Sequence, residues 1–430
     1  MDGVLLAVMP FGSIDTPPIG VSTMKAQFQK EGIPCDIVYF NLRFAQAIGY
    51  QRYMELTNTS GEMLIGEWLF SRSLFGDHET RYQDFINDVL FGYCAFPPQK
   101  VQSILDLAPH IEPFLEYCLH SVDWDRYTVI GFTSMFEQNL AVLSFAKRVK
   151  THYPQKTIVM GGANCAGAMG VQLHKSFPFI DFIFTGEGDF SFPDFVRRLG
   201  TGESWKEDIK DLVWRDGNRS IHSGIAPLVH DLDRLPYPNY DDYFEQFYAC
   251  RLPQELIHDV SIETSRGCWW GQKQQCHFCG LNHQHIEFRA KSPSRALDEI
   301  YYLVNRYDIE VVTAVDNILP MDYFKTLLPE LKFRKSNIHL FYETKANLKK
   351  EQVKLLRDAG VVRIQPGIEA FSPNVLKLMR KGVSPFQNIQ LLKWCRDYQL
   401  AVAWNLLYGF PGENARDYRE TLEFVKSLSH

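Results

Sequence analysis

Nowhere in these 430 residues do about eighteen apolar residues run together, so no membrane-crossing segment is expected. The opening MDGVLLAVMPFG has no basic stretch before its short apolar run and no small-residue cleavage site after it. A secretory signal is therefore not expected, and a cytoplasmic chain is. Long basic runs are missing too, and the formal net charge is −6, which leaves no electrostatic footprint for nucleic acid or an anionic membrane. No disulfide framework is legible. Cys35, Cys94, Cys118, Cys165, Cys250 and Cys395 are scattered, as core cysteines of a reducing compartment are. The first loop lacks Gly-x-Gly-x-x-Gly, so a nicotinamide or flavin dinucleotide is not the expected guest.

What remains is an ordinary globular composition, 45% apolar, long enough for two domains or three. VLLAVMP (4–10) reads as a buried strand, 21–32 as a helix ending at Gly32, and CDIVYF (35–40) as a second strand. Helical, aromatic-rich stretches interrupt the alternation over about 45–122. Strand and helix then alternate again through TVIGFTS (128–134), a helix over 139–152, TIVMGGANC (157–165), a helix near 168–176 and DFIFTGEGD (181–189). Five strands alternating with helices predict an open parallel sheet over 1–200 with a helical insertion. Ligands of such sheets bind beyond the carboxyl ends of the strands, here Met9-Pro10-Phe11-Gly12, Thr133-Ser134, Gly161-Gly162 and Gly186-Glu187-Gly188. Glycines there admit close backbone approach, although isolated glycines also serve as plain turn residues.

A hairpin with its turn at Asp216 to Asn218 and a proline-rich linker fill 201–250. From 251 onward βα units repeat. The expected strands are HDVSIETSRGC (258–268), EVVTAVDN (310–317), IHLFYETKAN (338–347), VVRIQPGIEAFS (361–372) and LAVAWNLLYGFPGE (400–413), with helices between and after them. Five such units make a partial (βα) barrel, ending after the fifth helix with no further strand to close it. A barrel places its site at the carboxyl ends of its strands, so Asp316, Asn317, Glu343, Lys345, Gln365, Glu369, Ser372, Asn405 and Gly409 are candidates. Each could instead cap a helix or pair with a lysine.

The densest chemistry is SRGCWWGQKQQCHFCG (265–280). Three of the nine cysteines, Cys268, Cys276 and Cys279, fall within twelve positions, with seven and two residues between them. Thiolates select zinc, Cu(I) or iron–sulfur clusters. A structural zinc needs a fourth ligand, for which His277, His283 and His285 are the nearby histidines; His277 should point away from a shared centre, and the other two lack the usual His-His spacing. A cube held by three thiolates leaves one iron open, so three cysteines favour chemistry over electron wiring. Trp269 and Trp270 could shield such a centre or simply pack the loop.

An N-terminal sheet with Gly161-Gly162 and GEGD, followed by a three-cysteine loop after a first barrel strand, resembles the cobalamin-dependent radical SAM enzymes. More narrowly, SRGCWWGQKQQCHFCGLN with GFTSMFEQN, GGANC and FRAKSP looks like the radical SAM proteins that mature ribosomally synthesised peptides (the RiPP maturation radical SAM protein 1 group). The usual Cys-x3-Cys-x2-Cys spacing is departed from here, in a way that suits this subgroup. The resemblance implies a Rossmann-like cobalamin-binding domain followed by a partial TIM-type radical SAM barrel. It implies that Cys268, Cys276 and Cys279 hold a [4Fe-4S] cluster whose fourth iron is chelated by S-adenosylmethionine. Asp316 and Asn317 would meet the methionine amino group, Glu343, Lys345, Glu369 and Ser372 its carboxylate and the ribose, and Phe278 the adenine. Thr133, Ser134, Gly161, Gly162, Gly186 and Glu187 would line the corrinoid and its nucleotide tail.

Asp-x-His-x-x-Gly, which gives cobalt a histidine in other cobalamin proteins, is absent; the corresponding loop reads SIDTPPIG, and a histidine-off cobalamin is implied. The implied reaction is C-methylation of a precursor peptide: a 5'-deoxyadenosyl radical takes hydrogen from an unactivated carbon, and methylcobalamin supplies the methyl group. Electrons would come from a flavodoxin- or ferredoxin-type donor. Two other readings keep their place: both cofactors serving a rearrangement, cyclisation or oxidation, and a non-catalytic corrinoid- or zinc-binding protein.

Overall fold

The computed structural model describes residues 3–59, 61–199, 201, 205–280 and 286–428. The chain divides into two compact units, one of residues 1–228 and 235–257, the other of 229–234 and 258–430.

The first unit is built on a seven-stranded sheet of β1 (Gly3–Val8), β2 (Cys35–Tyr39), β3 (Tyr127–Thr133), β4 (Thr157–Gly161), β5 (Phe182–Phe184), β6 (Leu212–Asp216) and β7 (Arg219–His222). The order is β2-β1-β3-β4-β5-β6-β7. β1 to β5 are parallel, and every residue of β1 is buried, as a strand covered on both faces must be. The chain runs outward from β1 to β2 and then returns across β1 to β3. This reversal opens a crevice at the carboxyl ends of β1 and β3. Between β2 and β3 the insertion is helical throughout its main segments, including Ile65–Phe75 and Ala108–His120. It packs through aromatic rings: Phe44 lies 4.7 Å from Phe114 and 5.7 Å from Phe11, centroid to centroid.

The expectation of a separate hairpin and linker over 201–250 is corrected. β6 and β7 form the hairpin, turning at Gly217, but β6 pairs antiparallel with β5 and so extends the first sheet. The following segment contains a helix, Asp241–Ala249, which covers the open edge of β2. Asp242 accepts the Ile37 N–H at 2.8 Å, while Gln246 accepts the Tyr39 N–H at 2.9 Å and donates to the Ile37 carbonyl at 2.7 Å. Side chains thereby satisfy an edge that would otherwise invite another strand. The helix also buries Tyr243, Phe244 and Phe247, a face too short to stand out beside the prolines that precede it.

The second unit holds β8 (Val260–Ile262), β9 (Ser265–Arg266), β10 (Arg289–Ala290), β11 (Val311–Ala314), β12 (His339–Lys345), β13 (Val361–Gly367) and β14 (Ala401–Val402). Five of these form a parallel sheet in unbroken chain order, β8-β11-β12-β13-β14, with helices Pro293–Tyr307, Leu327–Arg334, Lys350–Asp358 and Pro385–Asp397 in the crossovers. An order that never reverses keeps right-handed crossovers on one face, which is the winding of a (βα) barrel. Two expected strands are shorter than their apolar runs. The 258–268 run breaks after Ile262, and Ser265–Arg266 turns to pair antiparallel with Arg289–Ala290. The 400–413 run keeps only Ala401–Val402 in the ladder, with one further bridge between Glu369 and Leu406. No helix among the described residues is long and apolar enough to cross a membrane.

Candidate functional site

In the second unit the two-residue ladder of β9 and β10 closes the base of a loop carrying all three clustered cysteines. Its root is fixed by Asp316, just past β11 and 1% exposed, whose carboxylate accepts the Thr264 N–H at 2.7 Å, the Ser265 hydroxyl at 2.9 Å and the Thr264 hydroxyl. Burial lifts Asp316 to about 6 in spite of these donors. Gly267 has φ +76°, and a Cβ there would meet the Glu287 carbonyl oxygen at 2.2 Å, so only glycine lets the chain enter the loop this way. Cys268 caps the short helix Trp269–Lys273, its sulfur accepting the Gly271 N–H at 3.3 Å. Cys276 and Cys279 sit on a tight turn closed by a 3.1 Å bond from the Cys279 N–H to the Cys276 carbonyl.

The three cysteines open on one cavity of about 310 Å³, lined also by Trp270, Phe278, Asn317, Glu343, Lys345, Gln365, Glu369, Lys381 and Asn405. Glu343 and Lys345 stand two apart on β12 and so share a face. Burial, then the neighbouring Glu369 carboxylate, pushes Glu343 up to about 7. Burial, then the nearby Lys381 ammonium, brings Lys345 down to about 8. The Cys276 thiol is raised by burial, with Lys381 and Lys345 opposing the shift. Glu369 adopts φ +60°, uncommon for a side-chain-bearing residue, and is held by a 2.9 Å ion pair to Lys381 and by its carbonyl, which accepts the Leu407 N–H at 2.9 Å. Carboxylates and ammonium groups thus face one small space together. Such a lining suits a zwitterion, whose amino group seeks Glu343 or Glu369 and whose carboxylate seeks a lysine.

Three thiols are the donor set of a cube with one open iron, whereas a structural zinc would need a fourth protein ligand. The His277 ring turns to the Leu378 carbonyl, 2.9 Å from Nδ1, and His283 and His285 lie outside the described residues.

Of the residues expected around S-adenosylmethionine, Phe278, Asn317, Glu343, Lys345 and Glu369 line this cavity, as do Gln365 and Asn405. Asp316 and Ser372 do not. Asp316 is occupied at the loop root, and Ser372, fully buried, caps the helix Pro373–Leu378 and donates to Asp417. Gly409 lines a neighbouring open hollow with Phe278, Leu378 and Tyr408. Lys381 went unrecognised in the sequence, because a lysine closing a short helix reads as a solvated cap.

In the first unit a narrow cavity of about 240 Å³ lies against the sheet at the crevice. Thr133, Gly161, Gly162 and Gly186 of the expected corrinoid residues line it, together with Leu6, Gly131, Met160 and Phe184 from the strands, Gly20, Val21 and Met24 from the helix Ile19–Lys30, and Phe192. Gly131 is needed for its depth, since a Cβ there would come 2.8 Å from Leu6 and 3.3 Å from Phe192. Gly162 has φ +98° and packs against the Ser134 backbone. Ser134 and Glu187 are not among the lining residues. Ser134 is fully buried, donating to Asn139 at 2.7 Å and accepting from Asn164 at 3.0 Å, which holds the strand-end loops together. Val21, Met24 and Phe192 were missed because on a helix they read as ordinary core.

Residues 262–425 match the Radical SAM superfamily, so the second unit carries a radical SAM domain, the kind that works with a [4Fe-4S] cluster and S-adenosylmethionine. The chain is 25% identical over 305 residues to an uncharacterized methyltransferase of Pyrococcus horikoshii, a match covering 70% of this chain and 64% of that one. Its fold is that of the cobalamin-dependent S-adenosylmethionine radical enzyme OxsB, solved with aqua-cobalamin and S-adenosylmethionine, at TM-score 0.67 and 16% identity over 99% of this chain and 52% of that one. The radical S-adenosylmethionine methyltransferase TsrM of Kitasatospora setae, solved with cobalamin and a [4Fe-4S] cluster, aligns at TM-score 0.67 and 14% identity over 100% of this chain and 74% of that one. The chain spans less than two thirds of the length of the Pyrococcus protein and about half of OxsB.

Proposed function

We propose that this chain is a cobalamin-dependent radical SAM methyltransferase that methylates an unactivated carbon of a ribosomally synthesised precursor peptide. The observation that carries the reading is the single cavity in which three thiols meet paired carboxylates and ammonium groups at the ends of consecutive parallel strands. Cys268, Cys276 and Cys279 hold the [4Fe-4S] cluster; Asn317, Glu343, Lys345 and Glu369 receive the amino acid end of S-adenosylmethionine, and Phe278 its adenine. In the first unit Thr133, Gly161, Gly162 and Gly186 border the corrinoid, and the glycine-lined slot accepts a flat or elongated part of it. When bound, these groups supply reductive cleavage of S-adenosylmethionine and a transferable methyl group.

The chain's own residues do the remaining work. Buried Glu343 can hold or release a proton near neutrality beside the bound amino group. Phe278 and Trp270 wall the cavity with aromatic surface that excludes water. Supporting the methyl-transfer reading are the methyltransferase names of the Pyrococcus relative and of TsrM. A flavodoxin- or ferredoxin-type protein would deliver electrons, in the cytoplasm.

The test is anaerobic. The chain is reconstituted with iron, sulfide and cobalamin, then given dithionite, methyl-labelled S-adenosylmethionine and candidate peptide. We expect 5'-deoxyadenosine and labelled peptide by mass spectrometry, both abolished by Cys276→Ala. Deoxyadenosine with unlabelled product would replace methyl transfer by a rearrangement, cyclisation or oxidation. Absence of bound iron in the unaltered chain would remove the cluster.

A further inference from the structure

The turn at 378–382, which follows the helix Pro373–Leu378, spends four successive backbone carbonyls on the cysteine loop or on the lysine beside it. The Leu378 carbonyl lies 2.9 Å from His277 Nδ1, and the Met379 carbonyl accepts the His277 N–H at 3.1 Å. The Arg380 carbonyl accepts a long bond, 3.4 Å, from the Gln274 side-chain amide, and the Lys381 carbonyl accepts Lys345 Nζ at 2.6 Å. Gly382 completes the contact: its φ is +67°, and a Cβ there would lie 2.2 Å from the Trp270 ring. That ring carries Lys345 Nζ 3.5 Å from its centroid, while Lys381 Nζ stands 5.1 Å from the Phe278 ring.

Carbonyls leaving a helix must find donors, and here each finds one in the loop's side of the cavity. Trp270 and Gln274 both lie in the seven-residue gap between the first two cysteines, and His277 follows the second. The long first gap thus supplies two of the three side chains that meet this turn. Two ammonium groups are fixed beside the thiols by the same contacts, and an ammonium near a redox centre stabilises the form carrying one more electron.

We propose that residues 378–382 clamp the cysteine loop in its ligating conformation, and that Lys345, held by the clamp against Trp270, raises the reduction potential of the cluster. Lys345 and Gly382 are positioning residues in this role. The inference rests on the cluster reading above.

The full chain is reconstituted anaerobically with ferrous iron and sulfide. Iron release to a chelator is timed, and the one-electron potential is titrated with dithionite and mediators, read by electron paramagnetic resonance. Gly382→Val is expected to release iron at least tenfold faster. Lys345→Met is expected to shift the potential to more negative values, and Lys345→Arg, which keeps the charge, to restore most of it. Should Gly382→Val fail to fold, Trp270→Leu, which adds no volume, must show the faster release. Unchanged release in the foldable clamp variant overturns the clamp, and equal potentials in Lys345→Met and the unaltered chain overturn the role of Lys345. If the unaltered chain binds no cluster, or Cys276→Ala binds as much iron, the cluster reading itself has failed and the clamp falls with it.

Discussion

The cavities of the two units recognise by different means. The slot of the first unit is walled by glycines, aliphatic side chains and three phenylalanines, with Asp189 the one charged residue among those lining it. The cavity of the second unit gathers Glu343, Lys345, Glu369 and Lys381 beside three thiols. The first selects by shape, so it should answer to changes of volume; the second selects by charge, and should answer to changes of charge. The scaffolds follow the same division. Stacked and edge-on aromatic rings, such as Trp68 on Tyr82 and Phe11 against Phe44, pack the first unit's insertion, whereas the second unit buries an ion pair, Lys291 to Glu299 at 2.6 Å, with Arg295 at 3.4 Å from the same carboxylate.

The largest expected effect breaks that buried charge. Lys291 and Glu299 have side chains 3% and 1% exposed, and removing one partner leaves the other desolvated. Lys291→Met should cost about 3–5 kcal/mol of the second unit's stability, read by urea denaturation. Retention of full stability would show that Arg295 alone compensates Glu299. Next in size is a volume change in the slot. Gly131→Phe should weaken cobalamin binding at least tenfold, about 1.4 kcal/mol, in equilibrium dialysis while iron loading of the second unit stays normal. Equal affinity would show that the corrinoid does not use the slot. A third effect, spread over the pH range, concerns a charge where shape otherwise prevails. Burial raises Glu67 to about 7, opposed by the N–H groups of Leu140 and Asn139 and assisted by Glu137. A carboxyl bound to its proton more tightly when folded contributes stability fully below about 4.5 and loses it as pH rises through about 7. Glu67→Gln should therefore flatten the fall in stability between those limits, measured by denaturation at each pH.

Much of this architecture was legible without coordinates, for reasons that differ by element. β1 is an unbroken apolar run and β3 a mostly apolar one, both bounded by loop signals, and a buried parallel strand produces that pattern by itself. The cysteine spacing likewise announced a soft-ligand site. What failed were elements defined by partners. Helix Asp241–Ala249 buries a short apolar face of Tyr243, Phe244 and Phe247, but its place along the edge of β2 is set by Asp242 and Gln246, which only the packed chain brings to that strand. The strand expected over 258–268 breaks because Asp316, fifty residues later, claims both Thr264 and Ser265. Ser372 and Ser134 occupy the expected strand ends but turn inward to cap and brace.

By itself, the sequence determined the alternation of strands and helices, the first domain's parallel sheet with its helical insertion, the run of βα units that follows, and the three thiols on one loop. These depend on local apolar period, on turn residues and on ligand chemistry, all of which lie within short stretches of chain. Only the tertiary structure decided which strand-end side chains face the cavity and which brace its walls, that Lys381 and Trp270 belong to the site, and that the turn at 378–382 grips a loop a hundred residues earlier. Side-chain direction at a strand end depends on hydrogen-bond partners contributed by distant segments, and those meet only once the chain has packed.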